Sequence, residues 1–577
     1  MPSDSTDAPS RRRFATHLAK RTTGVGLVVA LWYVSRPLWH GLVYSMLFSP
    51  SAAVFVGGSL LAGLVLWYLP PSRVGAGDGD REVTVEIEGG RGVRLDQLFD
   101  VEGTARRKLR IFGAIVGVLF VLSILVGIPA GALEQRTLAQ RTMADATELE
   151  EFPQANPENP RVVPRKVSDI STRGSVSYRQ HRLGPSDIAR KEDGSLGWSY
   201  AIQPDGFRNR VVEHQRGVLI TGMTSLEERP IDVHEEDFEY GEGMFLHRSA
   251  RWRLKSTDYI ARYNDDAVEF SHDGRPYMYY AKTGHEWHLT PFPHTTPTWD
   301  GGALVHPDGT VEHLTPEQAR NSAILDGQRL YPLTLTRTEM GSLGYRNGIV
   351  NQLPVVGAHE GEIEVAGLPE STSNSQPFVI DLAGERMSYV TAMEPYGADT
   401  RGLDEVWFAD AETGAYTFFG TDEQTLTGPE RAMGIARSAD SRTNWGENFV
   451  VAEPVPMTVD GELWWHIKVA PTDFTDVTRN VFVNAESGEA VEISDDEAVR
   501  SFIGGNVSAV GTEPGTGEGG DDRDGQAGSD DGPAYYIVVT DENGTVVERI
   551  PVEPGQDTRI VPAENNGTDG PGGSDGN

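Results

Sequence analysis

Histidine is the residue type in this chain whose number and spacing most readily suggest chemistry. Six of the 14 histidines lie between residues 272 and 313, and imidazole is a common ligand of zinc, copper and nickel. His285, His288 and His294 are the candidate ligands for such a metal. The run His285-Glu286-Trp287-His288 lacks the H-E-x-x-H spacing of a helical zinc site, and prolines follow it closely. A structural or surface role for these histidines is therefore the alternative.

Catalytic motifs of other kinds are missing from the places where a fold would use them. No nucleophile elbow or dinucleotide fingerprint follows a predicted strand, and there is no Walker loop. Because the chain has 85 acidic residues, the proximity of two carboxylates is not evidence for acid–base catalysis. We therefore expect a non-catalytic protein without a cofactor. The alternative is an ectoenzyme whose unrecognised site depends on the histidines and a metal.

Composition excludes several classes of protein. The 577 residues include 50 basic and 85 acidic residues, so the formal net charge is −35. A general nucleic-acid-binding role needs a basic face, and this charge disfavours it. The absence of cysteine excludes disulfides, cysteine zinc sites, cysteine nucleophiles and a cysteine-linked lipid anchor.

The basic residues are unusual in kind, because only seven are lysine and 43 are arginine. An excess of carboxylates with few lysines resembles the proteins of halophiles that accumulate salt, especially haloarchaea. Molar salt shortens the Debye length to about 3 Å and so screens the repulsion between carboxylates. The resemblance implies a protein that folds at molar salt, and an acidic protein of a mesophile is the alternative.

Three apolar segments near the N-terminus are candidate membrane spans. Residues 51–69 and 111–131 contain no charged residue, and about 21 helical residues span the roughly 30 Å hydrocarbon core. Residues 24–48 form the third candidate, interrupted by Arg36 and Pro37. We predict one helix there, with Arg36 reaching toward the far interface. A re-entrant or surface helix is the alternative.

The distribution of charge predicts the topology. Residues 1–133 hold 14 basic and 10 acidic residues, whereas the remainder holds 36 and 75. Basic clusters at residues 11–13 and 106–110 precede the first and third segments, and the positive-inside rule places both clusters in the cytoplasm. Everything after residue 133 is then external. Residues 10–14 also match the twin-arginine export pattern S-R-R-x-F, which is the alternative to simple topogenic charge.

The external region contains an internal repeat. Residues 384–419 and 461–493 each predict an aromatic-rich strand, a second strand, a tight turn and a third strand. The turns at residues 410–414 and 484–488 begin with Asp or Asn and end with Gly, which supplies a left-handed residue. Two looser copies precede them, so four strand-rich units are expected.

Short helical patterns lie between some of these units. Residues 315–318 form a capping box with proline at the first helical position, which predicts a helix to about Leu325. Residues 428–437 and 495–502 are further candidates. Antiparallel strands with short helices indicate the α+β class.

The repeat also resembles a known kind of domain. The sequences VWFADAETG at residues 406–414 and VFVNAESG at residues 481–488 are similar to the hairpin of PepSY and cystatin-like domains. The match covers little more than the hairpin of each unit. The whole plan resembles that of haloarchaeal-type multi-pass membrane proteins with large external repeats, which also occur on mobile elements of prokaryotes. Such modules commonly bind or inhibit other proteins, so the resemblance implies a protein or surface partner.

The composition changes in the last part of the chain. Residues 511–532 are rich in Gly, Asp and Glu and are expected to form a solvated linker. Two β-rich runs then flank Asn543-Gly544, which predicts a hairpin. Asn506, Asn543 and Asn566 each begin an N-x-S/T sequon and are candidate glycosylation sites, in agreement with an external C-terminus.

These patterns together predict N-terminal transmembrane α-helices followed by a large external α+β region of repeated antiparallel-sheet units with short helices. The predicted function is that of a membrane-anchored envelope protein of a halophile, which presents an acidic external domain to a protein or surface partner. The cell membrane is the expected location, and nucleic acid is not expected as a partner. We predict a cytoplasmic N-terminus and transmembrane hairpin (1–70), a cytoplasmic loop module (71–110), a third transmembrane helix (111–133), a stalk and proline-rich connector (134–165), two external repeat lobes (166–356 and 357–510) and an acidic, glycine-rich tail with a β-hairpin (511–577).

Overall fold

The computed structural model describes residues 8–69, 103–175, 178–263, 266–353, 357–369, 374–384, 386–397, 402–421, 426–439, 443, 445–506, 535–540 and 546–552. The chain divides into two compact units, Met1–Thr512 and Glu513–Asn577. Most of the predicted cytoplasmic loop module, up to residue 102, lies outside the described residues, and residues 103–110 are the start of a helix.

Helices form the N-terminal part of the first unit. They are α1 (Ala8–Val34), α2 (Arg36–Phe48), α3 (Pro50–Tyr68, with a π-turn at Ala53–Gly57) and α4 (Gly103–Asp145). Within the part of the chain that the structure describes, two helical stretches are long and apolar enough to cross a membrane, namely α3 and Arg106–Asp145 within α4. Very little of their most apolar part is buried inside the protein.

The first predicted span is broken into two helices, α1 and α2. Pro37 has no N–H to donate to the carbonyl of Tyr33, four residues earlier. The Arg36 guanidinium donates to that carbonyl at 3.1 Å, and also to the carbonyl of Ser256 in the sheet region at 3.0 Å. The prediction of one helix over residues 24–48 is therefore wrong. Arg36 satisfies the broken turn and ties α2 to the sheet region, and its reach toward the far interface stays a prediction.

In the rest of the first unit, the described residues form mainly four antiparallel meanders of four strands, and a helix precedes each of them. The first has α5 (Arg165–Ser175), β2 (His181–Arg190), β3 (Leu196–Pro204), α6 (Phe207–Val212), β4 (Gln215–Gly222) and β5 (Ile231–Phe238). The second has α7 (Ala250–Thr257), β6 (Val268–His272), β7 (Arg275–His288), β8 (His294–Val305) and β9 (Val311–Leu314).

The third and fourth meanders follow a short helix, α8 (Pro316–Arg320). The third has α9 (Leu333–Ser342), β11 (Phe378–Leu382), β12 (Arg386–Pro395), β14 (Glu405–Asp410) and β15 (Tyr416–Gly420), extended by β1 (Thr147–Glu148) and β10 (Ile363–Val365). A separate antiparallel pair is formed by β13 (Gly402–Leu403), which lies between β12 and β14 in sequence, and β16 (Leu426–Thr427), which follows β15. The fourth has α10 (Pro429–Ala439), β17 (Phe449–Val459), β18 (Glu462–Pro471), β19 (Arg479–Asn484) and β20 (Ala490–Ile493), and α11 (Asp496–Ile503) follows it.

The two closest copies of the repeat are confirmed as equivalent hairpins. Strands β12, β14 and β15 pair in the same order and direction as β18, β19 and β20. Asp410 and Asn484 each accept two backbone N–H groups on one side-chain oxygen. The turns close on Gly414 and Gly488, whose φ angles are +73° and +74°. The side-chain acceptor and the left-handed glycine are the features that the sequence pattern predicts.

The three predicted short helices are present, with shifted ends. The capping box of α8 is formed reciprocally by Thr315 and Gln318, but this helix ends at Arg320 and not near Leu325. Helices α10 and α11 begin within one residue of their predicted starts, and Asp495 is the N-cap of α11.

One large hydrophobic core joins the two predicted lobes. It includes Trp198 from the first meander, Trp407 from the third and Phe482 from the fourth. The proline-rich segment after α4 runs through this core, where Val162 and Val163 are buried. Its prolines keep the backbone extended, and the apolar residues between them attach it to the sheets.

The second unit contains a strand pair, β21 (Tyr535–Thr540) and β22 (Val546–Val552). The two strands are antiparallel, which confirms the predicted pairing. The turn with Asn543-Gly544 lies outside the described residues.

Candidate functional site

The three candidate metal ligands all lie on the β7–β8 hairpin, but they do not converge. His288 and His294 are opposite each other in the register, and their rings stack with centroids 4.9 Å apart. His285 is three residues before His288, so the alternation of side chains along β7 puts it on the other face. Among the residues that the structure describes, no three His, Asp or Glu side chains are grouped as ligands for a metal ion.

Each of these histidines is engaged by hydrogen bonds. His294 Nδ1 donates to the carbonyl of Phe292 at 2.8 Å, and its Nε2 lies 2.9 Å from Thr137 Oγ1 on α4. His288 Nε2 lies 2.9 Å from Thr296 Oγ1. The His288–His294 pair therefore fixes the hairpin internally and against α4.

Helix α2 contacts the other face of the same hairpin. The Tyr44 hydroxyl donates to the carbonyl of Thr283 at 3.1 Å and lies 2.8 Å from His285 Nδ1. Because the single hydroxyl proton serves the carbonyl, Nδ1–H of His285 donates to the Tyr44 oxygen. His40, one turn earlier on α2, donates to the carbonyl of Ala261 at 2.7 Å. We call these contacts of α2 and α4 with the sheet region the junction.

Helix α4 supplies the second half of the junction through Arg141. Its guanidinium donates to the carbonyl of Pro297 at 2.7 Å and to Glu339 Oε1 at 3.1 Å. Glu339 also accepts hydrogen bonds from the hydroxyls of Tyr331 and Tyr416. Burial raises the pKa of Glu339, although its hydrogen-bond donors and Arg141 oppose that shift. The end of α4 is thus attached to a buried polar site and not only to surface residues.

A cavity of about 300 Å³ lies within the junction. Its lining combines polar and apolar side chains, among them Phe48, Glu134, Arg262 and His285. Burial, and to a lesser degree the charge of Arg262, lowers the pKa of His285 to about 4. His285 is therefore neutral at neutral pH. His285 and Glu134 could supply one imidazole and one carboxylate, whereas a structural zinc site has four ligands. We therefore interpret the cavity as a gap in the packing between the helices and the hairpin, lined by polar and apolar side chains.

A cluster of buried charges was missed by the sequence analysis. We call Arg161, Glu453, His466 and Lys468 the buried charge cluster; all four are almost fully buried. Both Nε and Nη2 of Arg161 donate to Glu453 Oε2, at 2.9 and 2.7 Å. The Lys468 ammonium donates to two backbone carbonyls, those of His466 at 3.3 Å and Glu453 at 3.4 Å. One signal was available, since Lys468 is one of seven lysines and lies between the apolar residues Ile467 and Val469 of β18.

Of the candidate glycosylation sites, Asn506 is exposed after the end of α11. Asn543 and Asn566 lie outside the described residues.

The site is therefore a structural joint between apolar helices and a sheet region, with its histidines used as hydrogen-bonding groups. Comparison with models of known protein families, with curated proteins and with solved structures finds no match to this chain.

Proposed function

We propose that the protein is a membrane-anchored envelope protein of a halophile, which holds a large acidic external domain at the membrane surface for binding a protein or surface partner, without catalysis. The junction is the observation that carries this proposal. A domain on a flexible tether would need no such contacts, whereas here α2 and α4 both bond to the β7–β8 hairpin. Rigid attachment suits a surface presented to a partner in a fixed orientation.

The arrangement of the helices supports the proposed topology. At one end, Arg21 donates to the carbonyl of Trp67, and Lys108 donates to the carbonyls of Leu66 and Leu69. Basic residues and a tryptophan at one level are typical of the cytoplasmic interface. At the other end, Gly127 lies beside Ser51, and the sheet region begins beyond it. The sheet region would then be external.

The order of elements supports the resemblance to PepSY and cystatin-like domains. Each of the four units has a helix before a four-stranded antiparallel meander, although the first unit has a second helix, α6, between β3 and β4, and two further strands extend the third sheet. We propose that these units are the binding modules, since such modules commonly bind or inhibit other proteins. The His-dependent ectoenzyme gains no support, because the three candidate ligands lie on two faces of the hairpin.

Protease added to intact cells tests the topology. We expect it to degrade the region after residue 145 and to spare an epitope tag placed at residue 1, because only the former would be outside. Opening the cells before digestion is the control and should expose the tag. Protection of the sheet region in intact cells would contradict the proposal.

Salt dependence tests the halophile assignment. We expect the thermal unfolding midpoint of the full chain in vesicles to fall as KCl is lowered from molar to about 0.1 M, because the Debye length grows to about 10 Å and carboxylate repulsion is unscreened. The residues after 133 carry 75 acidic against 36 basic groups. Sucrose at matched osmolarity is the control: it does not screen charge, so it should not restore the unfolding midpoint that is lost at low KCl. Equal midpoints at both salt concentrations would argue for an acidic mesophile protein.

A further inference from the structure

The end of the β7–β8 hairpin presents apolar side chains to solvent; it consists of the last two residues of β7 and the connection to β8, residues 287–293, and is called the loop below. Leu289 is 72% exposed and Trp287 is 41% exposed. The loop contains no Asp, Glu, Lys or Arg, although the region after residue 133 is strongly acidic. Clustered apolar side chains left in water indicate a surface that something covers.

Contacts between β8 and α4 show which way this loop points. Arg141 on α4 contacts Pro297, and Thr137 contacts His294, which is three residues closer to the loop. Residues of β8 that are closer to the loop therefore contact residues of α4 that are closer to its apolar segment. Thr295, next to the loop, lines the same cavity as Ala130 and Gly131 of α4. The loop therefore lies near the level of Ala130, where the apolar segment ends.

The exposed residues also continue the face of β7 that contacts α2. The ring of His285 lies 5.5 Å from that of Phe48, and Trp287, two residues on, shares its face. Thr295, opposite Trp287 in the register, donates to the carbonyl of Phe48 at 2.6 Å. Leu289 follows at the tip. The apolar side chains thus extend beyond the junction, along the face that the helices already cover.

We propose that Trp287 and Leu289 insert into the outer interface of the lipid bilayer beside α4, as an additional membrane contact of the external region. This inference rests on the proposed membrane anchoring. Lipid is the occupant because the loop continues an existing contact with the apolar helices and ends at the level where their apolar surface ends. Tryptophan suits that depth, since its ring is apolar and its N–H can remain with water or headgroups.

Single-cysteine labelling tests the inference, because the natural chain has no cysteine to interfere. Leu289→Cys, labelled with a polarity-sensitive fluorophore, is placed in the full chain in vesicles of phosphatidylcholine and phosphatidylglycerol at molar KCl. Some of the lipid carries a nitroxide near the glycerol end of the acyl chain, and iodide is the water-soluble quencher. Val233→Cys is the matched control on the edge strand β5, with 41% exposure, and Val118→Cys on α4, with 61% exposure, is the membrane reference.

We expect the lipid nitroxide to quench the label at 289 and at 118, with a blue-shifted emission at both, and iodide to quench the label at 233. If the label at 118 is quenched by lipid while that at 289 is quenched by iodide, the loop inference fails and the membrane anchoring stands. A label at 289 that is shielded from both quenchers would show that protein covers the loop, which also overturns the inference. If iodide quenches the label at 118, the membrane anchoring itself fails and the loop inference falls with it.

Discussion

Replacing Glu453 with alanine is expected to lower the free energy of unfolding by about 3–5 kcal/mol, the usual cost of removing one partner of a buried ion pair. The side chain of Glu453 is 1% exposed, and its carboxylate accepts hydrogen bonds from Arg161, from the backbone of Arg165 and from Asn374. Without it, the Arg161 guanidinium is left buried with no counter-charge. Urea unfolding of the full chain at molar KCl gives the difference.

Two substitutions serve as controls for Glu453→Ala. Glu236→Ala removes the acid of an exposed pair with Arg275, and exposed pairs contribute about 0–1 kcal/mol. Lys468→Met keeps the length of a side chain whose ammonium contacts backbone carbonyls, and it leaves the Arg161–Glu453 pair intact, so its loss should be smaller than that of Glu453→Ala. A loss for Glu453→Ala no larger than that for Glu236→Ala would contradict the role of the buried charge cluster.

The pH dependence follows from the same cluster. Burial would raise the pKa of Glu453, but the charges of Arg161 and Lys468 outweigh it and hold that pKa low. Burial lowers the pKa of His466 and that of Lys468 well below their usual values. In all three cases the unfolded chain binds protons more readily than the folded one, so stability falls as the pH falls. The contribution of Lys468 to this pH dependence extends up to about pH 10.4, the usual pKa of lysine. In Lys468→Met, the free energy of unfolding should therefore depend less on pH below about 10.4 than it does in the natural chain.

Replacing Gly414 with alanine is expected to destabilise the protein by about 2–5 kcal/mol, from a left-handed backbone that costs about 1–2 kcal/mol and from overpacking that costs about 1–3 kcal/mol. A Cβ at this position would overlap the ring of Tyr331. That ring cannot easily move, because its hydroxyl bonds to Glu339 at 2.8 Å and it packs against the Trp299 ring in a T-shaped contact, with the centroids 5.6 Å apart. Thermal and urea unfolding of the full chain measure the loss.

Two other glycines separate the backbone cost from the packing cost. Gly488 has a φ of +74°, and a Cβ there would meet Ile435 Cδ1 at an ordinary 3.5 Å. Gly274 also has a φ of +74° and no atom within 4 Å of such a Cβ. Gly488→Ala and Gly274→Ala should each cost about 1–2 kcal/mol, the backbone cost alone. Equal losses at all three positions would mean that the contact with Tyr331 contributes nothing.

The local elements follow from the sequence because their causes are local. A run without charges gives α3 and the apolar part of α4. Asp410 and Asn484, each followed by a glycine four residues later, give two equivalent turns, since the side-chain acceptor and the positive φ lie within one turn. The cap of α11 at Asp495 has the same origin.

The break in the first helix shows where local reasoning ends. Arg36 and Pro37 are visible in the sequence as an interruption, but two outcomes were open, one helix and a re-entrant or surface helix. The break between α1 and α2 is bonded through Arg36 to the Ser256 carbonyl, 220 residues away along the chain. The pattern of residues 24–48 cannot predict that partner, because Ser256 lies outside the segment.

By itself, the sequence determined the apolar helices, the hairpin turns, the short caps and the number of strand-rich units. The tertiary structure decided what the polar residues do. His285 and His294 look alike as ligands in the sequence, yet one contacts Tyr44 on α2 and the other Thr137 on α4. Arg161 pairs with Glu453, 292 residues later. Periodicity states which face of an element a side chain occupies, but only the folded chain states what lies opposite, because those partners are brought together by packing and not by spacing.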